Sequence, residues 1–273
     1  MKDYRNLISR VYSNGVLKKS RAGEVRSVHH EVIDFDLRDG FPAITGRKLA
    51  FNVVAAELEC FIHGIHDIRE FHARGCHIWD ANLADFNART NRPNNTDLGP
   101  IYGRVWRGSQ PGDLDQLAFV LAEAKANPNS RRLLVSAWLP DEAQDSSLVA
   151  LPACHVMWQL SIAHGFLDLC FYMRSVDIAL GLPFDVASYA LLQTLIANEL
   201  MLKPRKLTAF LADAHIYTSN DEGVRAYIQR EIHKPPTLVL ESALGAPVTS
   251  FKRTSVRLAG YSHGEPIKMT MAV

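Results

Sequence analysis

Cysteine is scarce: four residues in 273, at Cys60, Cys76, Cys154 and Cys170. None forms a metal-type Cys-x-x-Cys pair, and in a chain this long the four read as reduced thiols; no metal is expected. No run of 18 apolar residues occurs, so no membrane-spanning helix is expected. Residues 1–6, Met-Lys-Asp-Tyr-Arg-Asn, carry charges where a secretory leader needs an apolar core, which points to a cytoplasmic protein. Charge of one sign is also missing. Thirty Lys and Arg against 29 Asp and Glu leave a net charge of +1, too little field to gather nucleic acid, so any anion must be recognised locally. Without a Pro/Gly/Ser-rich linker, a repeat or a low-complexity tract, residues 1–273 are expected to form one domain.

The hydrophobic pattern mixes two periods. Tyr4, Leu7, Ile8, Val11 and Tyr12 predict an amphipathic helix ending near Gly15, and 49–63 predicts another, closed by Gly64. Further helices are expected over 112–127, stopped by Asn127-Pro128-Asn129, and over 186–201, the longest apolar run. Alternation predicts a strand over 27–37, followed by a turn at Asp39-Gly40-Phe41-Pro42. Residues 133–138, 156–163, 165–173, 206–211 and 236–240 read as further strands, the middle pair joined by a tight turn at His164-Gly165. No regular βαβ repeat is present, so the expected class is α+β, a mixed sheet with helices on one face.

Some residues carry chemistry. Cys154 opens a strand directly after a Pro-containing turn, where a side chain is displayed rather than packed. Nearby arginines would favour its thiolate. From its residues alone a structural and a nucleophilic role both stand, the structural slightly ahead. His155 is adjacent, so on a strand it points to the opposite face and is a poor base for Cys154. Cys60 and Cys170 sit in apolar runs as small hydrophobes; Cys76 lies in a loop-like stretch that suggests exposure. Arg131-Arg132 precedes a buried strand, Arg174-Ser175 ends another, and Arg21 sits in a flexible basic loop whose Lys18 and Lys19 read as solvated charges. Converging Arg forks suit a phosphate. Glu57 interrupts an apolar helix face, a costly place unless the acid is used, with Glu59 as its rival. His215 and Tyr217, two apart on an extended segment, share a face.

The run Arg174-Ser175-Val176-Asp177 through Gly181-Leu182-Pro183-Phe184-Asp185-Val186-Ala187-Ser188-Tyr189 follows Leu151-Pro152-Ala153-Cys154-His155 by about 20 residues. Together with Asp213-Ala214-His215-Ile216-Tyr217 and Asp97-Leu98-Gly99-Pro100-Ile101-Tyr102-Gly103, these segments resemble the thymidylate synthase superfamily from Tyr4 to Val273. The resemblance implies a thymidylate synthase-like fold whose sheet face is used for dimerisation. It implies Cys154 as nucleophile, Glu57 as the acid that organises water, and Tyr102 beside the nucleophile. Phosphate would be held by Arg21, Arg174 and Ser175 in cis and by Arg131 and Arg132 from the partner of a homodimer, and the sugar 3′-hydroxyl by His215 and Tyr217. The co-substrate implied is 5,10-methylenetetrahydrofolate, near Arg47, Trp79, Asp177, Gly181, Phe184 and the C-terminal Val273, with Asp177 on the pterin and Arg47 toward the glutamate tail.

At residue 185 the synthases carry Asn, whereas the deoxycytidylate hydroxymethylases carry Asp. Uracil offers an O4 acceptor and an N3–H donor; cytosine inverts both, and a carboxyl at Asp185 answers the 4-amino donor. A helix N-cap is the bland alternative, although Asn caps equally well. Departures from the synthases lie at Asn82, Leu139, Met173 and a longer loop over 141–149. The expectation is therefore a folate-dependent C5 hydroxymethyltransferase that converts dCMP, with thiolate addition to C6. Thymidylate synthesis from dUMP and hydroxymethylation of dUMP or CMP remain alternatives, as does a non-catalytic nucleotide- or RNA-binding homologue. No nucleic-acid or membrane partner is expected.

Overall fold

The computed structural model describes residues 2–108, 112–141 and 145–271; Val273 lies outside them. Six strands form the main sheet: β1 (Val16–Ser20), β2 (Gly23–Asp36), β3 (Leu134–Ser136), β4 (His155–Ala163), β5 (Phe166–Asp177) and β6 (Lys203–Tyr217). Their order across the sheet is β1-β2-β6-β5-β4-β3. Only β5 and β6 pair in parallel, because the chain returns between them through a long helix, as a parallel crossover requires. The β4–β5 hairpin turns on His164 and Gly165, both with positive φ (53° and 79°), as a two-residue hairpin demands. A small two-stranded sheet pairs β7 (Thr237–Leu240) with β8 (Val256–Ala259).

Helices cover one face of the sheet. The first, α1 (Lys2–Asn14), turns Tyr4, Leu7, Ile8 and Val11 inward and packs on β2 and β6. Then come α2 (Phe51–Ile62), α3 (Ile68–Ala73), α4 (Asp80–Thr90), α5 (Tyr102–Trp106) and α6 (Gln116–Ala126). The crossover helix, α7 (Gly181–Glu199), is apolar around most of its circumference and is correspondingly buried between α2 and the β5–β6 pair. Its one large buried polar side chain, Gln193, donates to the carbonyls of Leu167 (2.8 Å) and Lys206 (3.1 Å), tying the helix to both parallel strands. A short α8 (Asp221–Ile228) follows β6. The opposite sheet face carries no helix among the described residues. Val32, Phe210 and Tyr172 lie in register across three strands there and are 53, 41 and 37% exposed.

Several expectations change. The basic loop at 18–23 is a β-hairpin, β1 turning into β2 through Arg21-Ala22, with the two lysines on an edge strand where charge discourages further pairing. Lys18 is not merely solvated: its Nζ lies 2.6 Å from Asp213 Oδ2. Helix α6 starts four residues late, where Asp115 accepts from the Ala118 N–H and sets the cap. The strand over 133–138 shortens to β3, leaving Trp138 exposed. Cys76 is buried, because the chain after α3 folds inward and its N–H bonds the Phe71 carbonyl at 3.0 Å. Most consequential, α7 starts at Gly181 rather than Val186, so the expected start is five residues late.

Candidate active site

That earlier start removes the bland account of Asp185. The residue at the helix N-cap is Leu180, which makes no side-chain capping bond. Asp177, ending β5, does the work instead: its Oδ1 accepts from the N–H groups of Ala179 (2.9 Å) and Leu180 (3.2 Å). Asp185 is the fifth helical residue, and its carboxyl faces inward without a Lys or Arg partner among the described residues. His155 stands near it, with Nε2 3.8 Å from Oδ1, too far for a hydrogen bond. Burial pushes the Asp185 acid well above the usual carboxylate range, and the nearby acids Glu57 and Asp177 push it further. Gly181, one turn earlier, leaves room beside it: a Cβ there would sit 3.8 Å from Oδ2, an ordinary contact.

Cys154 sits just before β4, in a loop held from two sides. Its N–H donates to the Tyr102 hydroxyl at 2.9 Å. Arg174 donates through Nε to the Ala153 carbonyl (2.8 Å) and through Nη2 to the Pro152 carbonyl (3.0 Å). The same Nη2 lies 3.9 Å from Cys154 Sγ, and the guanidinium covers the Trp138 ring at 5.5 Å. The expectation that arginines lower the thiol pKa holds only in part. Burial raises it by more than Arg174 lowers it, and Asp185 adds to the rise, so the net direction within one chain is upward.

His155 packs within the same site: its ring stacks on Tyr102 with centroids 3.7 Å apart and planes 9° apart, and Nδ1 lies 2.9 Å from the Tyr189 hydroxyl. A register shift between His155 and Met157 is where the simple two-residue alternation breaks. Burial lowers the imidazole to about 3, so it is neutral at physiological pH. His155 and Tyr189 are the site residues that sequence reasoning missed; the bulge left no signal in the residue pattern.

On α2, two acids have opposite surroundings. Glu59 Oε1 accepts from Arg74 Nε at 2.9 Å and Oε2 from the Arg253 N–H at 2.6 Å, so it is committed to structure. Among the described residues Glu57 meets no cation; its Oε1 accepts from the Trp79 indole N–H at 2.7 Å. Burial raises Glu57 to about 7, with the Trp79 bond opposing that rise. Trp79 in turn packs edge-on to Tyr102, 6.2 Å between centroids. Glu57, Trp79, Tyr102, His155 and Asp185 thus form one wall that is buried at Trp79 and Tyr102, partly buried at the other three, and poor in cations among the described residues.

The remaining candidates divide. Arg21 is exposed at the hairpin tip. Ser175 lies opposite Asp213, and Asp177 opposite His215, in the parallel register. His215 packs edge-on to Tyr217, 5.3 Å between centroids, so the pair does share one face. Ser27 donates to Asp213 Oδ1 at 2.6 Å, fixing the carboxylate beside them. Arg47 is buried rather than rimming an opening: Nη2 donates to the Ala179 carbonyl at 2.9 Å and Nε has no acceptor among the described residues. Phe184 is partly buried against the core. Arg131 and Arg132 do not join Cys154 within the chain. Leu134 pairs with Gln159, which puts Arg132 level with Ser161, some 20 Å along β4 from Cys154 by the usual rise per residue. Arg132 Nη2 rests on Glu123 at 3.3 Å instead.

An acid pushed toward its protonated form, a thiol in an arginine-held loop, and a neutral imidazole between two tyrosines suit nucleophilic addition to a neutral heterocycle with local proton transfer. Compared with known protein families, the chain matches the model described as thymidylate synthase over residues 2–273.

Proposed function

The chain belongs to the thymidylate synthase family, and from that premise we propose that it is a dCMP 5-hydroxymethyltransferase using 5,10-methylenetetrahydrofolate. Folate-dependent one-carbon transfer to pyrimidine C5 is the family's activity; the finer reading concerns base, product and assembly. The observation that carries it is Asp185: a largely shielded acid inside α7, free of any capping role and pushed toward its protonated form. A protonated carboxyl offers one O–H donor and one carbonyl acceptor, the match for the N3 acceptor and 4-amino donor of cytosine. The same acid can turn to meet uracil, so discrimination rests on the shared proton. Cytosine N3 is itself a ring base and holds that proton jointly with Asp185, whereas uracil O4 is not.

In this reading Cys154 adds to C6, and Arg174 both holds the nucleophile's loop and, with Ser175 and Arg21, binds phosphate. His215 and Tyr217 meet the sugar. Glu57, titrating near 7, moves protons through ordered water. Trp79, Asp177, Gly181, Phe184 and Arg47 would hold the folate, which supplies the one-carbon unit; the orphaned buried Nε of Arg47 fits an anionic or carbonyl acceptor there. Hydration of the resulting methylene, in place of reduction, gives the hydroxymethyl product. One domain over 1–273 carries these groups in a cytoplasmic homodimer. The sheet face with Val32, Phe210 and Tyr172 is the surface that would be covered, and Arg131 and Arg132 would reach the partner's phosphate.

The test is Asp185→Asn. An amide restores the partner that synthases use for uracil, and kcat/KM should move from dCMP toward dUMP by roughly tenfold to a hundredfold, the worth of one polar match of about 1–3 kcal/mol. Product mass spectrometry on dCMP, CMP and dUMP reads both base choice and hydration. A wild-type enzyme that already prefers dUMP sinks the dCMP reading.

A further inference from the structure

Away from that wall, three donor side chains converge where α3 ends and α4 begins. His72 Nε2 lies 2.7 Å from Asp80 Oδ1, and His77 Nδ1 lies 3.3 Å from Asp80 Oδ2. The two imidazoles stack, with centroids 4.4 Å apart and planes at 25°. One ligand atom from each of the three residues falls within 4.8 Å of the others, and all three side chains are exposed. We propose that His72, His77 and Asp80 form a surface site for a divalent transition-metal ion of the zinc, cobalt or nickel class, separate from the nucleotide site.

Zinc holds imidazole nitrogen and carboxylate oxygen at about 2.0–2.2 Å, which spaces neighbouring ligands about 3 Å apart. Both nitrogen–oxygen separations already have that spacing, and rotation of two exposed imidazoles closes the third edge. In a neutral ring the proton can move to the outer nitrogen, leaving Nε2 of His72 and Nδ1 of His77 as donors. Two imidazoles and one carboxylate select borderline ions over magnesium or calcium, which want oxygen. The scaffold is rigid. Each ligand follows a buried anchor in the sequence, Phe71 before His72, Cys76 before His77 and Trp79 before Asp80, so the backbone at each position is fixed by the core. Among the described residues no Lys or Arg competes for Asp80 in an ion pair; its ionic partners are the two histidines. Cysteine spacing gave no hint of the site because no ligand is a cysteine.

Zinc titration by calorimetry, with cobalt absorption as a second probe, tests this in the Cys154→Ser chain, where the half-buried thiol no longer competes for metal. One ion per chain is expected. His72→Gln, His77→Gln and Asp80→Asn should each weaken binding by about tenfold or more while leaving the metal-free melting temperature unchanged. The three separate variants keep the test open if any one of them folds poorly. Absence of saturable binding, or wild-type affinity in the folded variants, overturns the assignment.

Discussion

The wall and the rim of the candidate site are built on opposite principles. At the wall, Glu57 and Asp185 are largely shielded from solvent with no cation beside them among the described residues, and both acids are raised. At the rim, Arg21 is exposed, Lys18 and Arg132 are engaged with Asp213 and Glu123, and Arg131 and Arg132 stand a strand's length from Cys154. The wall comes together within one chain, whereas Arg131 and Arg132 do not approach Cys154 in that same chain. Desolvation governs the first region and solvent-screened pairing the second. Glu57 and Glu59 repeat the contrast over two residues of one helix: the acid given Arg74 is structural, and the acid denied a cation is available for chemistry.

The largest effect that could break this contrast is at the nucleophile. Cys154→Ser should lower product formation by more than about a thousandfold, while dCMP binding, followed by calorimetry, survives. Wild-type turnover in that variant would refute covalent catalysis at the wall.

The rim is tested next by complementation. Arg132→Ala and Cys154→Ser chains, each inactive alone, should regain activity when mixed, since a mixed dimer has one site with both defects and one with neither. If exchanged subunits stay inactive, the arginines do not act across an interface and the rim is misassigned.

A third prediction concerns proton linkage at Glu57, whose ordinary value of 4.5 rises to about 7 on folding. The folded state keeps this proton where the unfolded chain has released it. The associated stability is therefore full below pH 4.5, falls as pH climbs, and is gone above about 7. The span corresponds to roughly 3 kcal/mol. Glu57→Gln keeps the acceptor for Trp79 and removes the titration, so its stability relative to wild type should improve by about that amount from pH 4 to pH 8 in urea melts. Parallel pH profiles of the two proteins would place the raised acid elsewhere.

The smallest effect belongs to the rim. Lys18→Met removes a partly exposed ion pair with Asp213 and should cost no more than about 1 kcal/mol at low salt, shrinking as salt is added. A salt-independent loss would mean that Lys18 is part of the wall's low-dielectric environment.

Much of the scaffold was legible beforehand. The α1 stripe, Gly64 after α2, the His164-Gly165 turn and the β4–β5 pair all rest on interactions between residues close in sequence, where periodicity and positive φ leave marks. Less legible were the short helices α3 and α5, too brief for an apolar period to emerge, the helix α4, which buries only Leu83 and Phe86, and the edge strand β1, whose Lys18 and Lys19 resemble a loop. Of the candidate side chains, Cys154, Arg174, Glu57 and Asp185 were visible as motif residues. Nothing in the motif revealed that His155 stacks on Tyr102.

By itself the sequence determined the family, the residue types available for chemistry, the near-zero net charge and the identity of residue 185. Tertiary structure alone decided that Asp185 lies inside α7 while Asp177 holds the helix entrance, that Glu59 takes the arginine and Glu57 does not, and that burial outweighs Arg174 at Cys154. The physical reason is common to all three. Protonation and pairing depend on the dielectric and on charges a few ångströms away in space, and those neighbours are contributed by elements far apart along the chain.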